Sequence, residues 1–213
     1  MIVSHEARAL FVHVQKTGGS TLQTVLLERL PGAQSLTGLP GAKHAHLGAA
    51  LAREPELAAY WTFGFVRNPW ARLWSWWSMI ERRREQRDEG NAWAVKRVAG
   101  NAFWSGVMER LPDFEAFVMA GPDLFPRLRE PQLSYLEAGA RRADFIGRTE
   151  TFGPDLAAVC ERLGVEPPPE EQRRNAQPEG SGAGTYRDHY TPAMRDRVAT
   201  LYRPDLDTFG YEF

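Results

Sequence analysis

The sequence predicts an α/β fold, a parallel sheet covered on both faces by helices. Two strand–turn–helix passages carry that expectation. Ala9-Leu10-Phe11-Val12-His13-Val14 is a short apolar run that leads into a glycine-containing turn and then a helical pattern. Tyr60-Trp61-Thr62-Phe63-Gly64-Phe65-Val66 is a second such run, and Asn68-Pro69 opens a helix behind it. The third observation is composition. With 43% apolar and 25% charged residues in 213, the chain matches a soluble globular domain and excludes wholesale disorder or a collagen-like repeat. One domain spanning 1–213 is expected, long enough to bury a core without covalent staples.

Each element has its own signal. Gln15 to Gly19 forms the first turn, and Ser20 is expected to start a helix reaching about Leu30. Ser20-Thr21-Leu22-Gln23 has capping-box spacing, with an apolar stripe at Leu22, Val25, Leu26 and Leu30. Pro31 to Gly41 reads as a looser stretch, followed by a helix over Leu47 to Arg53. Behind the second strand, Asn68 is placed to cap and Pro69 to fill the first helical position. That helix carries Trp70, Leu73, Trp74 and Trp77 on one face and Trp76 on another, and passes into the charged run Glu81 to Glu89. Asn91 to Leu136 reads as short helices, Asp144 to Gly147 as a third strand, and Pro154 to Leu163 as an amphipathic helix. The stretch 166–184 is rich in Pro, Gly and charge and reads as a mobile loop. Thr191-Pro192 then opens a last helix to about Tyr202.

The net charge of −1 gives no global attraction to nucleic acid or anionic lipid. Cys160 is the single cysteine, so no internal disulfide forms, and it is expected as a small core residue. No uncharged run reaches the ~18 residues of a membrane span. His5, Glu6 and Arg8 stand where a signal peptide would carry its apolar core, so a cytoplasmic location is expected. No HExxH, cysteine cluster or acidic triad offers a metal site, and no metal is expected. Among the 26 basic residues only Lys16, Lys43 and Lys96 are lysines.

Two segments fall where α/β sheets bind ligands, beyond the carboxyl ends of strands. Gln15-Lys16-Thr17-Gly18-Gly19-Ser20-Thr21 lies between a strand and a helix start. Glycines let the backbone approach a ligand, the first helical N–H groups lack partners, and the helix dipole favours negative charge there. Lys16 adds a full positive charge, and Ser20 and Thr21 add hydroxyls. The alternative is an ordinary tight turn with a solvated lysine. The segment is not a Walker A loop, because Lys16 precedes the glycine pair, and no Asp-tipped apolar strand is present to hold Mg²⁺. At the second strand's end stands Arg67, with Ser75 eight residues on. A guanidinium grips a phosphate bidentately and a hydroxyl adds a third bond, whereas the alternative makes Arg67 a structural partner of a carboxylate. Two anion sites point to one ligand with two separated anionic groups.

Together these segments resemble a family. His13 to Thr21 is similar to the 5′-phosphosulfate loop of sulfotransferases that use 3′-phosphoadenosine-5′-phosphosulfate (PAPS). Phe65-Val66-Arg67-Asn68-Pro69-Trp70-Ala71-Arg72-Leu73-Trp74-Ser75 is similar to their 3′-phosphate motif. Asp144 to Glu150, Thr185 to Tyr190 and the ending Phe209-Gly210-Tyr211-Glu212-Phe213 resemble the carbohydrate branch, which includes heparan sulfate 6-O-sulfotransferase and bacterial members. The family order after Gly-Gly is more commonly Thr-Ser, where this chain has Ser20-Thr21.

The resemblance implies a P-loop-like, sulfotransferase-type sheet and transfer of a sulfuryl group from PAPS, a co-substrate leaving as 3′,5′-ADP, to a hydroxyl acceptor of which a carbohydrate is the expectation. It implies nucleotide contacts at Lys16, Thr17, Gly18, Gly19, Ser20, Thr21, Arg67, Ser75, Arg148, Tyr186 and Arg187. No metal, nucleic acid or membrane span enters that picture. A base must take the acceptor's proton, and Lys43-His44-Ala45-His46 supplies two imidazoles, the side chain whose unperturbed pKa is nearest neutrality. In an extended segment His44 and His46 would share a face. The family places its base in this interval, which aligns best with His44 and keeps His46 in reserve; either ring alternatively caps the helix at Leu47. His13 and His189 are expected to be structural. The tryptophans are expected in the core, or, with Trp93 and Trp104, as a stacking surface for sugar rings. The arginine run 82–87 is a solvated helix face or a hold on an anionic acceptor. A small metabolite or lipid acceptor, a nucleotide kinase and a non-catalytic nucleotide-binding protein stand as alternative readings.

Overall fold

The computed structural model describes residues 1–169 and 186–213. Most of the expected loop at 166–184, and Thr185, lie outside the described residues. The described residues form two compact units, one of Met1–Asn68 with the chain from Gln132 to 169, the other of Pro69–Pro131 with the chain from 186 onward.

The chain begins with β1 (Ile2–Ser4) and β2 (Ala9–Val12), then α1 (Gly19–Arg29) and β3 (Ala33–Ser35). A single 3-10 turn at Ala42–His44 precedes α2 (Leu47–Arg53), and β4 (Trp61–Val66) ends the first passage. In the second unit follow α3 (Pro69–Asp88), α4 (Ala92–Ala99), α5 (Ala102–Arg110), α6 (Phe114–Met119) and α7 (Gly121–Leu124). The chain re-enters the first unit with α8 (Leu133–Leu136), the hairpin β5 (Glu137–Ala138) and β6 (Arg141–Arg142), β7 (Phe145–Arg148) and α9 (Phe152–Leu163). The second unit closes with α10 (Pro192–Leu201) and α11 (Arg203–Phe209).

The first unit is built on a five-stranded sheet of order β3-β1-β2-β4-β7. β2, β4 and β7 run parallel, with Val12 opposite Gly64 and Val66 opposite Arg148. Their carboxyl ends therefore lie along one edge. β1 lies between β2 and β3 and runs antiparallel to both, so the sheet is mixed rather than wholly parallel. Successive residues of a strand face opposite sides. Phe11, Phe63 and Phe65 pack on one side against Leu22, Val25 and Leu26 of α1 and Phe152, Leu156 and Val159 of α9. Cys160 is buried in the same cluster, as expected of a small core residue. On the opposite side Gly64 admits the Leu136 side chain, into which any Cβ there would run.

The second unit packs Trp70, Leu73, Trp76, Trp77 and Ile80 of α3 against α4–α6, α10 and Tyr202. Its polar groups are tied down inside: the Tyr190 hydroxyl donates to the Trp70 carbonyl at 2.8 Å and the Trp70 indole N–H to the Arg195 carbonyl at 3.2 Å. The expected core role holds for these three tryptophans, and Trp104 packs partly buried against the same cluster. Trp74 is half-buried with its ring stacked on His189 at 3.9 Å, and Trp93 is 54% exposed beneath the Arg83 guanidinium at 4.4 Å. In the arginine run, Arg84 pairs with Glu81 at 3.2 Å and Arg87 with Asp88 at 2.7 Å.

The expected helices and strands recur within a few residues of their bounds, with some differences. β1 forms where no element was expected, β3 forms within the looser stretch 31–41, the β5–β6 hairpin joins α8 to β7, α11 extends the C-terminal helical region, and the capping box at Ser20 does not form. α1 starts at Gly19, its cap position is Gly18 in the left-handed region at φ 80°, and no side chain caps it. Among the described residues no helix is long and apolar enough to cross a membrane.

Candidate active site

After β2 the backbone turns left-handed twice, at Lys16 (φ 70°) and Gly18 (φ 80°). A non-glycine residue at positive φ is uncommon, so Lys16 is held there by its surroundings. One tie is visible: the buried Thr17 hydroxyl donates to the Val14 carbonyl at 3.0 Å. That hydroxyl's hydrogen is spent on the turn, so its oxygen can only accept and cannot donate to an anion. The turn delivers the chain into α1 with Thr21 N–H bonded to the Gly18 carbonyl, while no carbonyl among the described residues accepts from the amides of Gly18, Gly19 or Ser20. Three donors at the positive end of an 11-residue helix, beside a lysine, form an anion cradle. Both glycines are required by packing. A Cβ on Gly18 would stand 2.7 Å from the Phe152 ring, and one on Gly19 would overlap the His13 ring.

His13 lies under this turn, 3% exposed, and burial pushes its ring pKa down to about 2, helped by the neighbouring His44. It is neutral at any physiological pH. Its ring meets His44 edge-on at 4.5 Å, and the His44 Nδ1 lies 2.9 Å from the His13 carbonyl oxygen. A carbonyl accepts only, so Nδ1 carries the hydrogen and Nε2 is the basic nitrogen of the neutral ring. One ring thus separates His44 from Gly19. The backbone is extended at Ala45 and His46 but not at His44, and the two rings take different partners. His44 ends the 3-10 turn, whereas His46 occupies the cap position of α2 without a side-chain cap bond. The His46 Nδ1 bonds the Ser134 carbonyl at 3.0 Å, and its ring stacks on Tyr135 at 4.1 Å.

Arg67 follows the last residue of β4 and Arg148 ends β7, so both stand on the sheet edge from which the cradle rises. The backbone here is tied from the return segment. The Gln132 side chain accepts from the Arg67 N–H at 2.8 Å and donates to the Arg67 carbonyl at 2.7 Å. The Asn68 N–H donates to Glu150 Oε1 at 2.7 Å, the Thr149 hydroxyl to the Val66 carbonyl at 3.0 Å, and the Arg148 N–H to Asp155 Oδ2 at 2.6 Å. Ser75, Tyr186 and Arg187 belong to the second unit. There Ser75 is buried within α3 and Tyr186 within the aromatic core, while exposed Arg187 lies over the rings of Tyr186 at 4.8 Å and Phe213 at 5.7 Å.

A family model described as sulfotransferase family matches residues 1–212. The chain belongs to the sulfotransferase family. Sulfuryl transfer to a hydroxyl-bearing acceptor is that family's chemistry, and the α/β sheet with its edge of strand ends is the matching fold. The chain has no match among the curated proteins or the solved structures compared with it. Within this sulfotransferase Lys16 to Thr21, His44, Arg67 and Arg148 all belong to the first unit. Sequence reasoning missed the supports of that set. Gln132 and Asp155 carry no motif signal, and Glu150 stood in a resembling segment without a role.

Proposed function

We propose that the chain transfers a sulfuryl group from PAPS to a hydroxyl acceptor, a carbohydrate of the kind used by the heparan sulfate 6-O-sulfotransferase-like and bacterial branch, with His44 as base. The observation that carries this reading is the cradle of three backbone amides beside Lys16, one imidazole ring away from His44. The amides of Gly18, Gly19 and Ser20 suit a 5′-phosphate, and the Thr21 hydroxyl adds a further donor. The acceptor oxygen forms its bond to sulfur as the bond from sulfur to the 5′-phosphate oxygen breaks. The acceptor proton goes to His44 Nε2, and Lys16 offsets charge on the leaving oxygen. Positioning and charge stabilisation dominate such a step, as in phosphoryl transfer. Arg67 and Arg148 suit the 3′-phosphate end of the nucleotide. Ser75, Tyr186 and Arg187 enter on the family resemblance alone, as does His46 in reserve for the base.

Thermal unfolding with 3′,5′-ADP tests the donor site, in parallel with ATP and Mg²⁺. A ligand at ~100 times its dissociation constant stabilises by about 2.7 kcal/mol, a rise of roughly 5–11 °C for a chain of this size. A rise with 3′,5′-ADP that vanishes in Arg67→Ala supports the reading and leads to an acceptor screen with PAPS. A rise with ATP and Mg²⁺ alone would replace it with a nucleotide kinase.

A further inference from the structure

We infer that Gln132 is a positioning residue that sets the preference for a nucleotide bearing a 3′-phosphate, by fixing the backbone from which the Arg67 side chain projects. The inference rests on the proposed role of Arg67 as a phosphate ligand. Its geometric basis is the end of the strand ladder. β4 stops at Val66, whose carbonyl is taken by the Thr149 N–H at 2.8 Å. Arg67 lies one residue beyond, 5% exposed, with a backbone N–H and C=O that burial obliges to find partners. Pro69, two residues later, has no N–H and holds its φ fixed, so the helix that follows offers no adjustment.

Gln132 answers both groups with one side chain. It is 0% exposed, its Oε1 accepts from the Arg67 N–H at 2.8 Å, and its Nε2 donates to the Arg67 carbonyl at 2.7 Å. A primary amide bonded at both ends to one residue acts as a one-residue strand neighbour. Two bonds fix the orientation of both peptide planes flanking the Arg67 Cα, and hence the direction of its Cα–Cβ bond, where one bond would leave a rotation open. Bidentate guanidinium–phosphate pairing demands such directional control. Glu150, accepting from the Asn68 N–H at 2.7 Å, holds the other side of the same peptide that carries the Arg67 carbonyl.

A purely structural glutamine would weaken all ligands alike, so the test compares two. Dissociation constants for 3′,5′-ADP and 5′-AMP, which differ by the 3′-phosphate, are measured calorimetrically on the full chain. The variants are Gln132→Met, Arg67→Ala and the double variant. The wild-type chain is expected to prefer 3′,5′-ADP by about 10- to 100-fold, the worth of a charge-assisted contact. Gln132→Met should lose about tenfold of that preference with 5′-AMP binding unchanged, and the double variant should lose no more than Arg67→Ala. If Gln132→Met does not fold, Gln132→Glu decides, since it keeps the acceptor and removes the donor to the Arg67 carbonyl. A folded Gln132 variant with its preference intact, or with both ligands weakened equally, overturns the inference and leaves the role of Arg67 standing. A wild-type chain with no preference removes that role, and the inference with it.

Discussion

Adding a single methyl at Gly19 tests the packing beneath the cradle. Gly19 is the first residue of α1, and in a helix alanine ordinarily gains ~0.5–1 kcal/mol over glycine. Here the added Cβ would overlap Cδ2 and Nε2 of His13 and stand 3.1 Å from Cγ. The ring has no easy escape, stacked on Phe11 at 5.5 Å and edge-on to His44 at 4.5 Å. Overpacking of this kind costs about 1–3 kcal/mol, which at roughly 2–4 °C per kcal/mol lowers the melting temperature by roughly 2–12 °C. Gly153 in α9 is the control, because nothing lies within 4 Å of a Cβ there; Gly153→Ala should stabilise by ~0.4–1 kcal/mol. Thermal unfolding of Gly19→Ala, Gly153→Ala, His13→Ala and His13→Ala/Gly19→Ala reads all four signs. With the ring removed, Gly19→Ala should cease to destabilise. A Gly19→Ala chain as stable as wild type, or a penalty that persists without the ring, would refute the packing account of the Gly-Gly pair.

Other perturbations probe the same unit. His13 is neutral in the fold with its pKa near 2, against 6.5 unfolded, so its contribution is full above about pH 6.5 and is lost progressively as pH falls toward 2. Between pH 6 and 4 stability should fall by up to ~1.4 kcal/mol per pH unit from this residue; melting curves of His13→Phe should lack that component, and an unchanged slope would count against it. His44→Ala should abolish sulfuryl transfer from PAPS while the melting shift with 3′,5′-ADP persists, and loss of both would reassign the residue to nucleotide binding. Thr149→Val removes a buried hydroxyl that donates to the Val66 carbonyl and should cost about 1 kcal/mol in urea unfolding. Gly64→Ala drives a methyl into Leu136 and should destabilise by ~1–3 kcal/mol, which far-ultraviolet melting would register.

The parts of the fold legible in the sequence are those with long or redundant signals. β4, α2 and α9 announce themselves through an apolar run, helical periodicity or an amphipathic face, and the cradle through Lys16 and two glycines. β1 and β3 escape because three residues are too few to show alternation. The capping box at Ser20 misleads because local spacing competes with a tertiary demand: His13 presses on Gly19, the chain turns left-handed at Gly18, and the helix opens before the hydroxyl arrives. The divergence of His44 and His46 depends on carbonyls from distant segments, at His13 and Ser134. Gln132 is illegible for the same reason, since its partner lies 65 positions away.

That pairing has a consequence for how such a chain can diversify. The stretch Pro69–Pro131 leaves the first unit immediately after Arg67-Asn68 and returns at Gln132, and its two roots are fastened to each other by the paired amide bonds. The ordering entropy of the intervening chain rises only slowly with its length, and the fastening absorbs none of its sequence. Residues can therefore be inserted, deleted or replaced between the roots while β4, Arg67 and the cradle keep their geometry. The staple makes the part of this stretch beyond Ser75 a graft site, at which new surfaces can be tried while the strand ends of the first unit stay as they are.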